Sequence, residues 1–212
     1  MKHPRHPLSI ILLCIVWSVP SMLGAAGQDP KQTKENTITI EMTTPVVPQK
    51  FSRRVGFFVT DVIDRSGNPQ PMLVMRNRGG IYLDRHPTEI VKGALEQTLK
   101  GADLLAAEAA SADYTFTVYL FHFGLASGSG REFFGKLDLA VMVKDVKTGK
   151  SQQVTALGAS IQDSALLKKN VIKNVKANLE SALSDGLRNF LRGQKLRDVV
   201  EGATPQPDSP SD

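Results

Sequence analysis

The chain has 212 residues, of which 41% are hydrophobic and 22% charged, a balance typical of one globular domain with tails. Its formal net charge is +5, and this falls to +3 when residues 1–27, with two basic and no acidic side chains, are set aside. A nucleic-acid-binding surface needs a dense basic patch. The composition therefore argues against a nucleic-acid partner.

Residues 1–27 have the three parts of a secretory signal peptide. A basic start, MKHPRHP, precedes the apolar run LSIILLCIVWSV and the small-residue region PSMLGAAGQ. Gly24 and Ala26 fit the small pockets of a signal peptidase, so we expect cleavage after Ala26 or Gly27. The apolar run is shorter than the roughly 20 residues of a membrane span, and we expect no transmembrane span in the mature chain. The alternative is that residues 1–27 remain as an uncleaved N-terminal anchor.

Cys14 is the only cysteine of the chain. It lies inside the apolar run, whereas the cysteine of a bacterial lipoprotein follows a small residue at the end of such a run. Lipid anchoring is therefore disfavoured, and we expect an exported protein that is periplasmic or associated with the cell envelope. Removal of the signal peptide would leave no thiol for a disulfide, a nucleophile or a zinc site.

Two polar segments flank the predicted domain. Residues 28–50 contain three prolines and one short alternating stretch, TITIEM, which predicts a polar tether with a brief edge strand. Residues 194–212 end in EGATPQPDSPSD, which lacks large apolar side chains and predicts a disordered C-terminal tail. The segment between them, residues 51–193, is the predicted domain.

The first half of the domain predicts two strand regions and a helix. RVGFFVTDV has the β-branched and aromatic content of a strand, and PMLVMRN and GIYLD predict a further strand region around Gly79 and Gly80. The segment HPTEIVKGALEQTLKGA then changes to a helical period, with Pro87 near its start and Gly101 near its end. Its apolar face consists of Ile90, Val91, Ala94, Leu95, Thr98 and Leu99.

The second half predicts a three-stranded meander and a long helix. Residues 112–127 alternate, which places His122 on the same face as Tyr114 and Phe116, and Phe123 on the opposite face. REFFGKLDLAVMVKDV and SQQVTALGASIQ complete the meander around the turn KTGK. Apolar residues recur at helical spacing from about Ser164 to Arg192. The fold class predicted by this order is α+β, a two-layer sandwich of a mostly antiparallel sheet with both helices on one face.

This order resembles the YajG-type family of bacterial cell-envelope proteins, which are largely uncharacterised lipoproteins. The matching features are the strand end DVIDR, the helix EIVKGALEQTL, the strand ADYTFTVYL, the hairpin VKTGK and the long C-terminal helix. The resemblance covers about residues 54–192. It implies a non-enzymatic protein associated with the envelope, without catalytic residues. The absent lipobox cysteine departs from the family pattern.

No motif predicts a cofactor. GREFFGKL has the spacing of a phosphate loop but ends in Leu137 instead of a hydroxyl residue, and KDVKTGKS begins with Lys144 instead of glycine. Both lead into strand patterns, whereas a phosphate loop leads into a helix. His86 and His122 are not paired for metal binding, and Ser127 and Ser129 do not form a nucleophile elbow.

Asp61, Asp64 and Arg65 form the pattern DVIDR at the end of the first strand. The pattern admits a ligand site, but we interpret it mainly as a strand end: Asp64 and Ser66 accept backbone hydrogen bonds, and Asp61 pairs with Arg65 or another basic residue.

Lys169, Lys173 and Lys176 lie on one face of the long helix and form the best candidate surface for an anionic partner, an envelope protein or a membrane surface. The alternative is the ordinary solvated face of an amphipathic helix.

Two function classes follow. The first is an exported, non-enzymatic envelope protein whose α+β domain binds a protein partner or an apolar or glycan ligand. The second is a periplasmic hydrolase with dispersed catalytic residues around Asp61, Asp64 and His122. The hydrolase requires these three side chains to face a common cleft. The sequence does not predict an oligomeric state.

Overall fold

The computed structural model describes residues 36–42, 46–67, 72–74, 80–127, 133–162 and 170–202. Its elements in chain order are β1 (Thr37–Ile38), β2 (Phe57–Asp64), β3 (Met72–Val74), β4 (Gly80–Leu83), α1 (Pro87–Gly101), β5 (Tyr114–Ser127), β6 (Phe133–Asp145), β7 (Ser151–Gln162), α2 (Val171–Leu191) and α3 (Gln194–Glu201). The predicted strands, the first helix and the long helix are all present, although residues 163–169 of the predicted long helix lie outside the described residues.

The main sheet has the strand order β2-β5-β6-β7. β2 and β5 are parallel, and the two following pairs are antiparallel. A small second sheet has the order β1-β4-β3. The predicted α+β class is confirmed, and the main sheet is mixed because a helical crossover through α1 joins β2 to its parallel neighbour.

Helix α1 begins where its sequence predicts. His86 is the N-cap and its Nδ1 accepts the Thr88 N–H, while Pro87 occupies the first turn, where its missing N–H is not needed. The six residues of the predicted apolar face are all buried.

Both long helices pack on the same face of the main sheet. Three aromatic rings connect the layers: Phe57 of β2 stacks on Phe116 of β5 at 4.8 Å, and Phe116 meets the edge of Phe190 of α2 at 5.2 Å. All three side chains are fully buried. This face of the sheet forms the core.

Helix α2 touches the backbone of the sheet. A Cβ at Gly135 of β6 would collide with the backbone of Asn178, and one at Gly158 of β7 would collide with the backbone of Ala182 and Gly186. A Cβ at Gly186 would lie 2.6 Å from Leu137 Cδ2. At Gly135 and Gly158 only glycine permits so close an approach, because the colliding atoms belong to the helix backbone.

The predicted brief edge strand is present as β1, but the predicted tether is wrong for the other described residues of this segment. Residues 38–42 and 46–52, here called the strap, run along the helix layer. Ile38, Ile40 and Val46 are at most 5% exposed and belong to the core. Ile38, Ile40 and Met42 alternate in the sequence, but this run is too short to distinguish packing on the core from a solvated edge strand.

Hydrogen bonds fix the strap to α2 and to Arg85, which directly precedes the N-cap of α1. The Glu41 N–H donates to Glu180 Oε1 of α2 at 3.2 Å, and the Gln49 N–H donates to the Leu191 carbonyl at 3.3 Å. On the α1 side, the Arg85 guanidinium donates to the Ile40 carbonyl at 3.2 Å. The strap is therefore a structural part of the domain.

The predicted disorder from residue 194 is also wrong for residues 194–201, which form α3. Leu196 and Val200 are buried, and the Tyr114 hydroxyl donates to the Val200 carbonyl at 3.2 Å. Glu201 accepts the Ser52 N–H at 2.6 Å, and this bond lowers the pKa of the Glu201 carboxyl. Residues 203–212 of the predicted tail lie outside the described residues.

The contact between α2 and β7 predicts a sharp difference between two glycine-to-alanine substitutions. Gly158→Ala should lower the free energy of unfolding by about 1–3 kcal/mol, because the added methyl group forces the helix away from the sheet. Gly93→Ala, at an exposed site of α1 with no atom within 4 Å of the new Cβ, should raise it by about 0.5–1 kcal/mol. Urea unfolding of both variants measures the difference, and equal stability would refute the close contact.

Candidate functional site

Asp61 and Asp64 lie on opposite faces of the main sheet. A β-bulge between Val59 and Asp61 leaves Asp61 exposed on the face away from the helices, while Val62 returns to the core. Asp64, three residues later, faces the helix layer, where its Oδ2 lies 3.6 Å from His86 Nε2. The two carboxylates therefore do not form an acid pair.

The strand-end interpretation of Asp64 agrees with the structure. Its Oδ1 accepts the Ser66 N–H at 2.7 Å and closes the turn after β2. Within the described residues, Arg65 forms no ion pair with Asp61, and its guanidinium lies over the Tyr119 ring, 5.7 Å from the centroid.

A second bulge overturns the predicted faces of β5. The register shifts between Leu120 and His122, so Phe121 and His122 both lie on the face away from the helices. Phe123 then points into the core and is 8% exposed. Strict alternation predicted the reverse for His122 and Phe123, because the sequence around Phe121 carries no glycine to mark the bulge.

The hydrolase hypothesis loses its proposed site. His122 lies opposite Asp138 of β6 on the face away from the helices, whereas Asp64 lies on the helix side. The three side chains of Asp61, Asp64 and His122 therefore do not face a common cleft. In the described parts of the chain, no group of three or more His, Cys, Asp or Glu residues is arranged to hold a metal.

His122 is half-buried, and its Nε2 finds no hydrogen-bond partner in the described residues. Burial lowers the pKa of His122 below its ordinary value of 6.5, the charge of Lys136 lowers it further, and Asp138 opposes both. Lys136 and Asp138 form an ion pair of 3.7 Å on the same face. The imidazole is therefore neutral at neutral pH.

The predicted basic surface of the long helix is only partly described. Lys173 is exposed on α2. The Lys176 ammonium lies 3.5 Å from Glu180 Oε1, so it balances a carboxylate that is 5% exposed. Lys169 lies outside the described residues. Lys176 therefore has a structural role in addition to any partner binding.

The face of the main sheet away from the helices is here called the open face. Two of its large apolar side chains are strongly exposed, Phe121 at 45% and Leu157 at 58%. Two neighbouring cross-strand rows lie on this face. One consists of Ile63, Tyr119, Ala140 and Thr155, and the next of His122, Asp138 and Leu157. Exposed apolar side chains with charged neighbours are typical of a protein-binding surface.

Two cavities flank the strap. One, of about 310 Å³, is lined mainly by apolar groups of Met42, Val46, Pro48 and Ala102. The other, of about 350 Å³, is more polar and lies between the strap and residues 90–97 of α1. Both share Met42 and Gln97, so they continue along one side of α1.

No protein-family model matches the chain, and neither does any curated protein sequence. Among solved structures, a Xanthomonas campestris protein of the family model DUF330 is similar, with a TM-score of 0.60 and 12% identity. The alignment covers 79% of this chain and 99% of that protein. A second structure, of an uncharacterised protein, has a TM-score of 0.51 and 9% identity, and the alignment covers 76% of this chain and 99% of that one. At these identities, the similarity establishes the fold.

Structures of bacterial lipoproteins also match, more distantly. A minor lipoprotein from Acinetobacter baumannii has a TM-score of 0.38 and 11% identity over 71% of this chain and 98% of its own. This similarity is too low to carry an inference. Of the described helices, none is long and apolar enough to cross a membrane.

The environment of His122 predicts a titration below pH 6.5. The folded protein binds this proton more weakly than the unfolded chain. The contribution of His122 to the free energy of unfolding is therefore highest above about pH 6.5 and decreases as the pH falls towards the folded pKa. An NMR titration of the His122 ring should give a midpoint below 6.5. Lys136→Gln should raise the midpoint and Asp138→Asn should lower it. A midpoint at or above 6.5 in the native protein would contradict a lowered pKa of His122.

Proposed function

We propose that the chain is an exported, non-enzymatic protein of the cell envelope whose α+β domain binds a protein partner through the open face of its main sheet. The exposure of Phe121 and Leu157 on that face carries the proposal. Membership of the YajG-like group is part of the proposal, and the fold shared with the DUF330 protein supports it only at the level of architecture.

Export is proposed from the signal-peptide pattern of residues 1–27. A periplasmic or envelope-associated location follows from it, without a lipid anchor at Cys14. The predicted basic surface of Lys169, Lys173 and Lys176 remains a second prediction for contact with an anionic partner or membrane surface.

The shape of the open face favours a macromolecule. The face is a sheet surface and not an enclosed pocket, and small ligands bind in concave sites. Four strands spaced about 4.8 Å apart, with about eight residues each at about 3.3 Å, give an area of roughly 500 Å². A standard interface buries about 800 Å² per partner. The partner would therefore also contact the charged groups of this face, which are Arg65 and the Lys136–Asp138 pair between His122 and Leu157.

A second candidate is a small apolar or glycan ligand beside the strap. The cavity of about 310 Å³ has the size of a small ligand site and an apolar lining from Met42, Val46 and Pro48. It offers few polar groups to orient a sugar, so an apolar ligand suits it better.

The test combines cell fractionation with surface variants of the full chain. We expect a shortened chain in the periplasmic or envelope fraction, with a mass that fits cleavage after Ala26 or Gly27. Chemical crosslinking in that fraction should give one main adduct, and Phe121→Ser with Leu157→Ser should reduce its yield at least about tenfold, since buried aromatic and aliphatic anchors dominate interfaces.

The matched control is the double variant Val47→Ser with Ile172→Ser, which removes two other exposed apolar side chains, 71% and 39% exposed, away from the sheet. Its adduct yield should equal that of the native chain. An uncleaved chain in the cytoplasm would overturn export. Equal loss of the adduct in both double variants, or in neither, would overturn binding by the open face.

A further inference from the structure

Strand β7 is an edge strand of the main sheet, and helices α2 and α3 both pack against it. The Leu157 carbonyl accepts a hydrogen bond of 2.7 Å from Asn189 Nδ2, and the Ala159 N–H donates to Asp185 Oδ2 at 3.3 Å. Both side chains reach the strand because α2 touches its backbone at Gly158. The edge is thereby closed from Leu157 to Ala159.

In the other half of the edge, Ser151 to Thr155, the outward backbone groups have no partner among the described residues. Backbone groups of a strand point alternately to its two neighbours, so those of Ser151, Gln153 and Thr155 point the same way as those of Leu157, away from β6. Within the described chain, no residue forms a hydrogen bond with these outward groups. All three residues are exposed.

This edge lacks the sequence features that prevent the sheet edges of natural proteins from pairing with other strands. Sheet edges are commonly protected by charged residues, prolines or bulges. Strand β7 has the sequence SQQVTALGASIQ, with no charge and no proline, and its register with β6 runs without a bulge. Within the part of the chain that the structure describes, side-chain caps protect this edge from Leu157 to Ala159.

We propose that the free edge, Ser151 to Thr155, pairs antiparallel with the same edge of a second copy of this chain. The free window ends at the turn before Ser151 on one side and at the capped Leu157 on the other, so it is centred on Gln153. A two-fold axis there places Gln153 opposite Gln153 and Ser151 opposite Thr155. These three residue pairs supply about six backbone hydrogen bonds, and no like charges meet.

A second copy fits this window better than an unrelated strand because the window is self-complementary in length, charge and direction, as a two-fold interface requires. The dimer would have a continuous eight-stranded sheet. Its two open faces would then form one larger surface for a partner. Dimerisation itself does not depend on the proposed binding by the open face.

The test is sedimentation velocity of the full chain over a range of concentrations. We expect a reversible monomer–dimer equilibrium. Gln153→Lys and Gln153→Asp should each raise the dissociation constant about fivefold, because like charges then face each other across the axis. An equimolar mixture of the two variants should return it to the native value or below, because opposite charges then meet.

The control variant Gln97→Lys makes the same charge change on an exposed site of α1 and should leave the dissociation constant unchanged. Thermal unfolding of each variant verifies that it is folded. A native chain that stays monomeric at every concentration overturns the proposal. So does a dimer that neither Gln153 variant weakens, or a mixture that fails to restore the weakened dimer.

Discussion

The direct contact between the backbone of α2 and the backbone of β6 and β7 organises the domain. Glycines at positions 135, 158 and 186 remove the Cβ atoms that would otherwise separate helix from sheet. The close approach buries Asn178 completely and brings Asp185 and Asn189 to the edge of β7. With the helices packed on one side, the opposite side of the sheet remains the open face. The same contact thus determines which surfaces are available for partners.

The strap completes the covered side. It supplies Ile38 and Ile40 to the core, and it gives the buried carboxylate of Glu180 a hydrogen bond from the Glu41 N–H beside the ion pair with Lys176. A buried carboxylate without such partners would be strongly destabilising. Lys176, which the sequence predicts as part of a binding surface, therefore also balances the buried charge of Glu180.

Elements with a long regular period could be predicted from the sequence. The buried face of α1 and the three strands of the meander agree with their patterns, since burial on one side repeats over many residues. The burial of the strap and of α3 could not be predicted, because their apolar patterns are too short to distinguish core packing from exposure and their burial depends on tertiary contacts. The open-face position of His122 could not either, since one bulge at Phe121 reverses the alternation. The structure therefore moves the candidate site from the acidic residues of β2 to the open face of the sheet, with Phe121 on β5 and Leu157 on the edge strand β7.

Hydroxyl-radical footprinting of the native chain would test most directly whether the open face is the binding surface. In the purified protein, Phe121 and Leu157 should be oxidised in proportion to their exposure, as should Val47 and Ile172 elsewhere on the domain. In intact cells, the account predicts strong protection of Phe121 and Leu157 with unchanged labelling of Val47 and Ile172. Equal labelling of Phe121 and Leu157 in both conditions, or protection of Val47 and Ile172 instead, would contradict it.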